Sequence, residues 1–193
     1  MGATSPARAP RRDQLRNRQK LLAAAQAAFI EHGPDVNLEE VARRAGMAAS
    51  SLYRHFPTKD DLVEAVLDEL IRDVQANADR AVLIGDPHEA FRVVFTQSCA
   101  MREEEVATFA KLAGVSSRTG EHARRLIANV VGPATTRLRA AGGLRADITV
   151  NDVAMFVTMV DMTETLDQRT KALDVILTGL KHSGPNGSLG RQG

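Results

Sequence analysis

One cysteine, Cys99, is all that this 193-residue chain carries, so an intrachain disulfide is excluded and a reducing compartment is expected. Cys99 sits in an apolar helical pattern and reads as a buried packing residue rather than a redox sensor. No apolar run reaches the roughly 18 residues that a membrane span requires. The first ten residues, MGATSPARAP, have a basic residue but no apolar segment, unlike a secretory signal, and a cytoplasmic location is the expectation. Strand-like alternation and internal repeats are missing. So are a glycine-rich phosphate loop and any metal-ligand spacing, and the five histidines (His32, His55, His88, His122, His182) are scattered without a Ser or Cys partner motif. These absences argue against an enzyme, and no cofactor or metal is expected.

What is present suits a soluble core: 44% hydrophobic and 25% charged residues. The net charge of +1 divides unevenly. Residues 1–60 hold 10 Lys/Arg against 6 Asp/Glu, and residues 61–193 hold 15 against 18. The basic excess therefore sits at the N-terminal end, as phosphate binding requires.

The same end holds the most informative stretch. Leu38, Val41, Ala42 and Ala45 recur at helical spacing, with Asn37 placed to cap and Glu40 placed to reach back as in a capping box. Gly46 tolerates the positive φ that ends such a helix. A second helix then turns Leu52 and Phe56 inward and leaves Tyr53, Arg54 and His55 outward. Two short helices about a glycine turn make a helix-turn-helix, whose second helix fits the DNA major groove. Ahead of it, Leu21, Ala24, Ala25, Ala28 and Phe29 form one helical face that ends at His32-Gly33-Pro34. Behind it, Thr58 and Asp61 open a helix carrying Leu62, Val66, Leu70 and Val74, which the pattern extends to about Leu83.

The remainder is helical too. Phe91, Val94, Phe95 and Ser98 share a face; Val106–Ala113 follows three glutamates; a segment over about 120–141 is kinked or split by Gly132-Pro133; and two last helices cover about 150–166 and 168–182. The fold class expected is all-α with about nine helices. The expected organisation is a disordered basic arm over 1–13, a three-helix helix-turn-helix domain over 14–73, a helical effector-binding and dimerisation domain over 74–183, and a disordered tail over 184–193.

Residues 21–67, from Leu21-Leu22-Ala23 through Phe29, Gly33, Glu40-Val41-Ala42-Arg43-Arg44-Ala45-Gly46 and Leu52-Tyr53-Arg54-His55-Phe56 to Lys59 and Leu62, resemble the DNA-binding domain of TetR-type transcriptional regulators. The resemblance implies a homodimer that lays two recognition helices on a palindromic double-stranded operator, with half-sites about 34–36 Å apart or further. It also implies release by an unknown small-molecule effector held in the C-terminal domain. Tyr53, His55 and Lys59 match positions that bind DNA phosphates, with packing between helices the competing reading for Tyr53 and His55, and Asn37 matches a phosphate-facing position that also caps. Base reading then falls to Ala49, Ser50, Ser51 and Arg54, of which Arg54 alone has bidentate guanine chemistry, with a phosphate contact or a solvated arginine the equal alternative for it. So few strong readers leave room for DNA shape and water-mediated contacts. Arg8, Arg11, Arg12, Arg16, Arg18 and Lys20 lead into the first helix as a basic run, with Arg11 and Arg12 expected at the DNA. Ala48 stands where the family often caps the recognition helix with Ser or Thr.

For an effector, Phe91, Phe95, Met101, Phe109, Met155, Phe156 and Met159 are the pocket candidates, since mixed Phe and Met surfaces make adaptable apolar sites. Plain core packing is the competing reading for each. The helix over 150–166 is apolar on two sides, as expected of one lying between core and dimer partner. Asp161 and Glu164, at i, i+3, are spaced to receive a cationic ligand or metal; solvation, or pairing across the dimer, is the competing and commoner reading. A DNA-associated module that binds another protein, without a small-molecule inducer, is the alternative function. Repression rather than activation rests on the family's usual mode.

Overall fold

A computed structural model describes residues 9–181, with side chains from Asp13 onward. Among these residues the chain forms nine α-helices: α1 (Ala9–His32), α2 (Leu38–Arg44), α3 (Ala49–His55), α4 (Lys59–Ala81), α5 (Pro87–Ser98), α6 (Glu103–Ala113), α7 (Ser117–Ala140), α8 (Val150–Asp161) and α9 (Leu166–Gly179). The only strand-like pairing described is one antiparallel bridge, Leu144 with Lys181. The tail expected over 184–193 and residues 1–8 of the expected arm, Arg8 included, lie outside the described residues. Helix α1 already starts at Ala9, so residues 9–13 are helical instead of a free arm.

Two compact units result. The first comprises the chain up to Ile71 together with Arg102–Ala123, and the second comprises Arg72–Met101 together with the chain from Arg124. In the first, Leu21, Ala25, Ala28 and Phe29 of α1 are buried with Val41 and Ala42 of α2, Leu52 of α3, Phe56, and Leu62, Val63, Val66 and Leu67 of α4. Each large apolar side chain so buried is worth ~1.5–3 kcal/mol. Helix α6 packs against α1 and buries Thr108 and Leu112. That helix and the start of α7 therefore belong with the helix-turn-helix, not with the later helices to which their place in the sequence assigned them.

The second unit buries Phe91, Val94 and Phe95 of α5, Val130, Val131 and Ala134 of α7, and Val153, Val157 and Val160 of α8. Two boundaries differ from the sequence reading. Helix α7 runs unbroken through Pro133; the proline removes one backbone donor, while buried Val130, Val131 and Ala134 hold the helix across it. The 150–166 helix ends at Asp161, because Thr165 and Gln168 form the capping box that starts α9.

Candidate nucleic-acid interface

The helix-turn-helix is positioned by its ends. Asn37 Oδ1 accepts from the Glu39 amide at 2.9 Å and caps α2. Glu40 does not complete the expected capping box. Its carboxylate is taken instead by Arg43 Nε and Nη2 at 2.7 and 2.6 Å, a bidentate charge-assisted pair, and by Arg44 Nε at 3.0 Å. Arg43 first, then Arg44, lowers the Glu40 carboxyl to about 2. Arg44 also reaches Glu31 at 2.5 Å and His32 Nε2 at 2.8 Å, which fastens α2 to the end of α1. Gly46 takes φ +68° at the turn, and the Met47 amide donates to the Ala42 carbonyl at 2.9 Å.

Helix α3 buries Leu52 along its length and closes on Phe56, which is 1% exposed. The opposite side carries exposed Ser50, Tyr53 and Arg54, with Ala49, Ser51 and His55 partly exposed. Tyr53 is 45% exposed, too open for a packing role alone. Arg54 Nη2 donates to Ser51 Oγ at 3.3 Å, so two candidate base readers already touch. The N-cap, Ala48, makes no side-chain cap bond, as its residue type dictates. Lys59 is the first residue of α4 and is partly exposed. Just before it, the Thr58 amide and hydroxyl donate to Asp61 Oδ2 at 2.9 and 2.7 Å, and the Asp61 amide returns a bond to Thr58 Oγ1 at 3.1 Å. Asn37 is exposed at the opening of α2. The candidate DNA residues thus lie at the starts of α2 and α4 and along the outer side of α3, all in one unit. Arg11 and Arg12 fall in the first turn of α1, with side chains outside the described set.

Sequence patterning gave no sign of three residues that grip α4: Ser116, Arg118 and His122, bonded to carboxylates more than fifty positions away. Nor did it show Arg18 over the Phe56 ring.

The pocket candidates are dispersed. Phe91 and Phe95 are buried and stack on each other with ring centroids 5.9 Å apart. Met101 and Phe156 are partly buried in the same unit, whereas Phe109, on α6, belongs to the other. Met155 and Met159 are 50% and 53% exposed on the outer face of α8, because Val153, Val157 and Val160 take its inner face. They are surface residues of the chain. Near the end of α8, Asp161 Oδ1 is buried without a hydrogen-bond partner among the described residues. Burial lifts its carboxyl to about 6, against the opposing pull of Arg169, whose own guanidinium donates to the Cys99 carbonyl at 3.1 Å. Cys99 is buried, and desolvation pushes its thiol far above the usual range.

The sequence profile of bacterial regulatory proteins of the tetR family matches residues 21–66. An uncharacterized HTH-type transcriptional regulator, TtgW of Pseudomonas putida, is 39% identical over 51 residues, 26% of this chain and 38% of that protein. The HTH-type transcriptional repressor KstR of Mycolicibacterium smegmatis is 36% identical over 73 residues, 37% of this chain and 36% of its own. The matches span little more than a third of either relative. Over most of the chain, the TetR transcriptional regulator SCO0520 from Streptomyces coelicolor superposes with a TM-score of 0.55 at 29% identity, covering 86% of this chain and 99% of that one. SmeT, repressor of a Stenotrophomonas maltophilia multidrug efflux pump, shares the fold with a TM-score of 0.61 at 20% identity, over 86% and 91% of the two chains. The N-terminal helix-turn-helix, over residues 21–66, thus matches that of the tetR family of bacterial regulatory proteins, and the all-α architecture is similar to that of TetR-type regulators.

Proposed function

We propose that this protein is a sequence-specific transcriptional repressor that binds a palindromic operator as a homodimer and is released by a small apolar or amphipathic ligand. The observation that carries the DNA reading is the two-sided α3, with Leu52 and Phe56 wholly buried and Tyr53 and Arg54 left open on the other side. Tyr, His and Lys donors at Tyr53, His55 and Lys59 suit phosphates, and an Arg at the centre of the exposed side suits a guanine edge.

Dimerisation is supported by what α8 and α9 leave uncovered. Met155, Met159 and Met162 form a stripe at helical spacing, 50%, 53% and 78% exposed, and Leu166 and Val175 of α9 are 80% and 69% exposed. Helix α9 has no buried residue at all. An apolar two-helix surface of this kind fits a second copy of itself about a two-fold axis. Release by a ligand needs only that the ligand favour an arrangement of the dimer in which the two recognition helices no longer match the operator spacing. The buried aromatic pair Phe91 and Phe95, with Met101 and Phe156 in the same unit, supports an apolar effector.

Sedimentation equilibrium paired with DNA binding tests the reading. The wild type is expected to be a dimer, and Met159→Glu is expected to yield a folded monomer that no longer binds operator. A monomeric wild type with intact operator binding would overturn the dimer, and an α8 face that captures only a different protein would favour the protein-interaction module.

A further inference from the structure

The opening of α4 is an unexpectedly acidic place for a phosphate contact. Lys59 is followed by Asp60, Asp61, Glu64 and Asp68, and carboxylates within about a Debye length (~8 Å at physiological salt) repel an approaching phosphate. The first unit supplies the answer from residues far along the chain. Ser116 Oγ donates to Asp60 Oδ2 at 2.8 Å. Arg118 grips Glu64 through Nε and Nη2 at 2.9 and 2.8 Å and reaches Asp61 Oδ1 at 2.7 Å. His122 Nε2 meets Asp68 Oδ1 at 2.8 Å. Arg118 and His122 are one helical turn apart on α7, as Glu64 and Asp68 are on α4, so two helix faces mesh turn for turn.

Asp61 does two jobs at once. Its Oδ2 closes the cap on Thr58 while its Oδ1 is held by Arg118. Thr58, then Arg118, keeps that carboxyl below its usual range. We propose that Arg118 is a positioning residue for DNA binding: it offsets two of the carboxylates beside Lys59 and fixes the capping carboxylate, so that the start of α4 accepts a phosphate. The inference rests on the DNA-binding reading above.

The test is titration of a fluorescein-labelled mixed-sequence duplex, whose phosphates present the same contact as any operator, followed by anisotropy from about 0.05 to about 0.5 M salt. Arg118→Gln is expected to bind about fivefold more weakly at the lowest salt, the scale of uncovering nearby like charges in water, with the deficit fading at the highest. Arg118→Lys, which keeps the charge, is expected to recover most of the loss, as is Glu64→Gln placed in the Arg118→Gln background. A loss of equal size at every salt concentration, in step with a fallen melting temperature and unrelieved by Glu64→Gln, would mean a structural strap only and overturn the inference. Unchanged binding by Arg118→Gln would overturn it also. A wild type that binds no DNA at low salt would instead remove the underlying reading.

Discussion

The guanidinium of Arg18 lies over the ring of Phe56, 5.0 Å from its centroid, and so joins α1 to the residue that closes the recognition helix. Phe56 is 1% exposed, with its other surroundings in the core of the first unit. Arg18 is therefore a packing residue as well as part of the basic run. Arg18→Ala is expected to lower unfolding free energy by about 0.5–1 kcal/mol in chemical denaturation, with Arg18→Lys in between. Identical midpoints for all three would show that the contact contributes nothing.

Phosphate and base contacts differ in how their loss is felt. Lys59→Ala is expected to weaken binding to all duplexes alike and to reduce the salt slope by about one. Arg54→Ala is expected to weaken the preferred sequence most and to relax discrimination at one base pair by about 1–3 kcal/mol. Competition with single-base-pair variants of the operator checks both. A uniform loss for Arg54→Ala would reassign it to the backbone.

Helix α3 starts without a side-chain cap at Ala48, whose φ of −71° and ψ of 146° are those of an ordinary N-cap. Ala48→Ser is therefore expected to stabilise the protein by about 1 kcal/mol, read as a raised melting temperature in calorimetry. No gain would mean that the free amides of the first turn are already served by water at no cost.

The helix-turn-helix was legible in the sequence because its determinants are local. Asn37, Gly46, Leu52 and Phe56 act within a turn or two of themselves, and Ala48 announced its missing cap by residue type. Glu40 misled for a physical reason: a capping box and an i,i+3 ion pair draw on the same carboxylate, and two arginines won it. The grip of Arg118 on Asp61 and Glu64 spans more than fifty residues, and no periodicity encodes that distance. Along α8, the pattern separated two apolar sides but could not say which was covered. Met155 and Met159 were read toward a pocket and stand on the surface.

Asp161 gives a pH dependence with a definite sign. Its carboxyl is raised to about 6 by burial, so between roughly pH 4 and pH 6 the folded state binds the proton more tightly than the unfolded chain. Its contribution to stability is therefore full below about pH 4, falls as pH rises through 6, and stays lost above. Asp161→Asn is expected to match the wild type near pH 4 and to exceed it by about 1–3 kcal/mol at pH 7.5. Calorimetric melts across that range check the sign, and a difference between the two proteins that does not grow with pH would contradict it.

Operator-specific DNA binding by a dimer is open to selection from genomic DNA. Purified protein is mixed with fragments of its source genome at physiological salt, and the retained DNA is sequenced. Enrichment of a single palindromic sequence is expected, its halves spaced for two α3 helices on one face of the duplex, and lost in a Tyr53→Ala, Arg54→Ala double variant that melts like the wild type. Retention without sequence preference, equal for the wild type and the double variant, would contradict it.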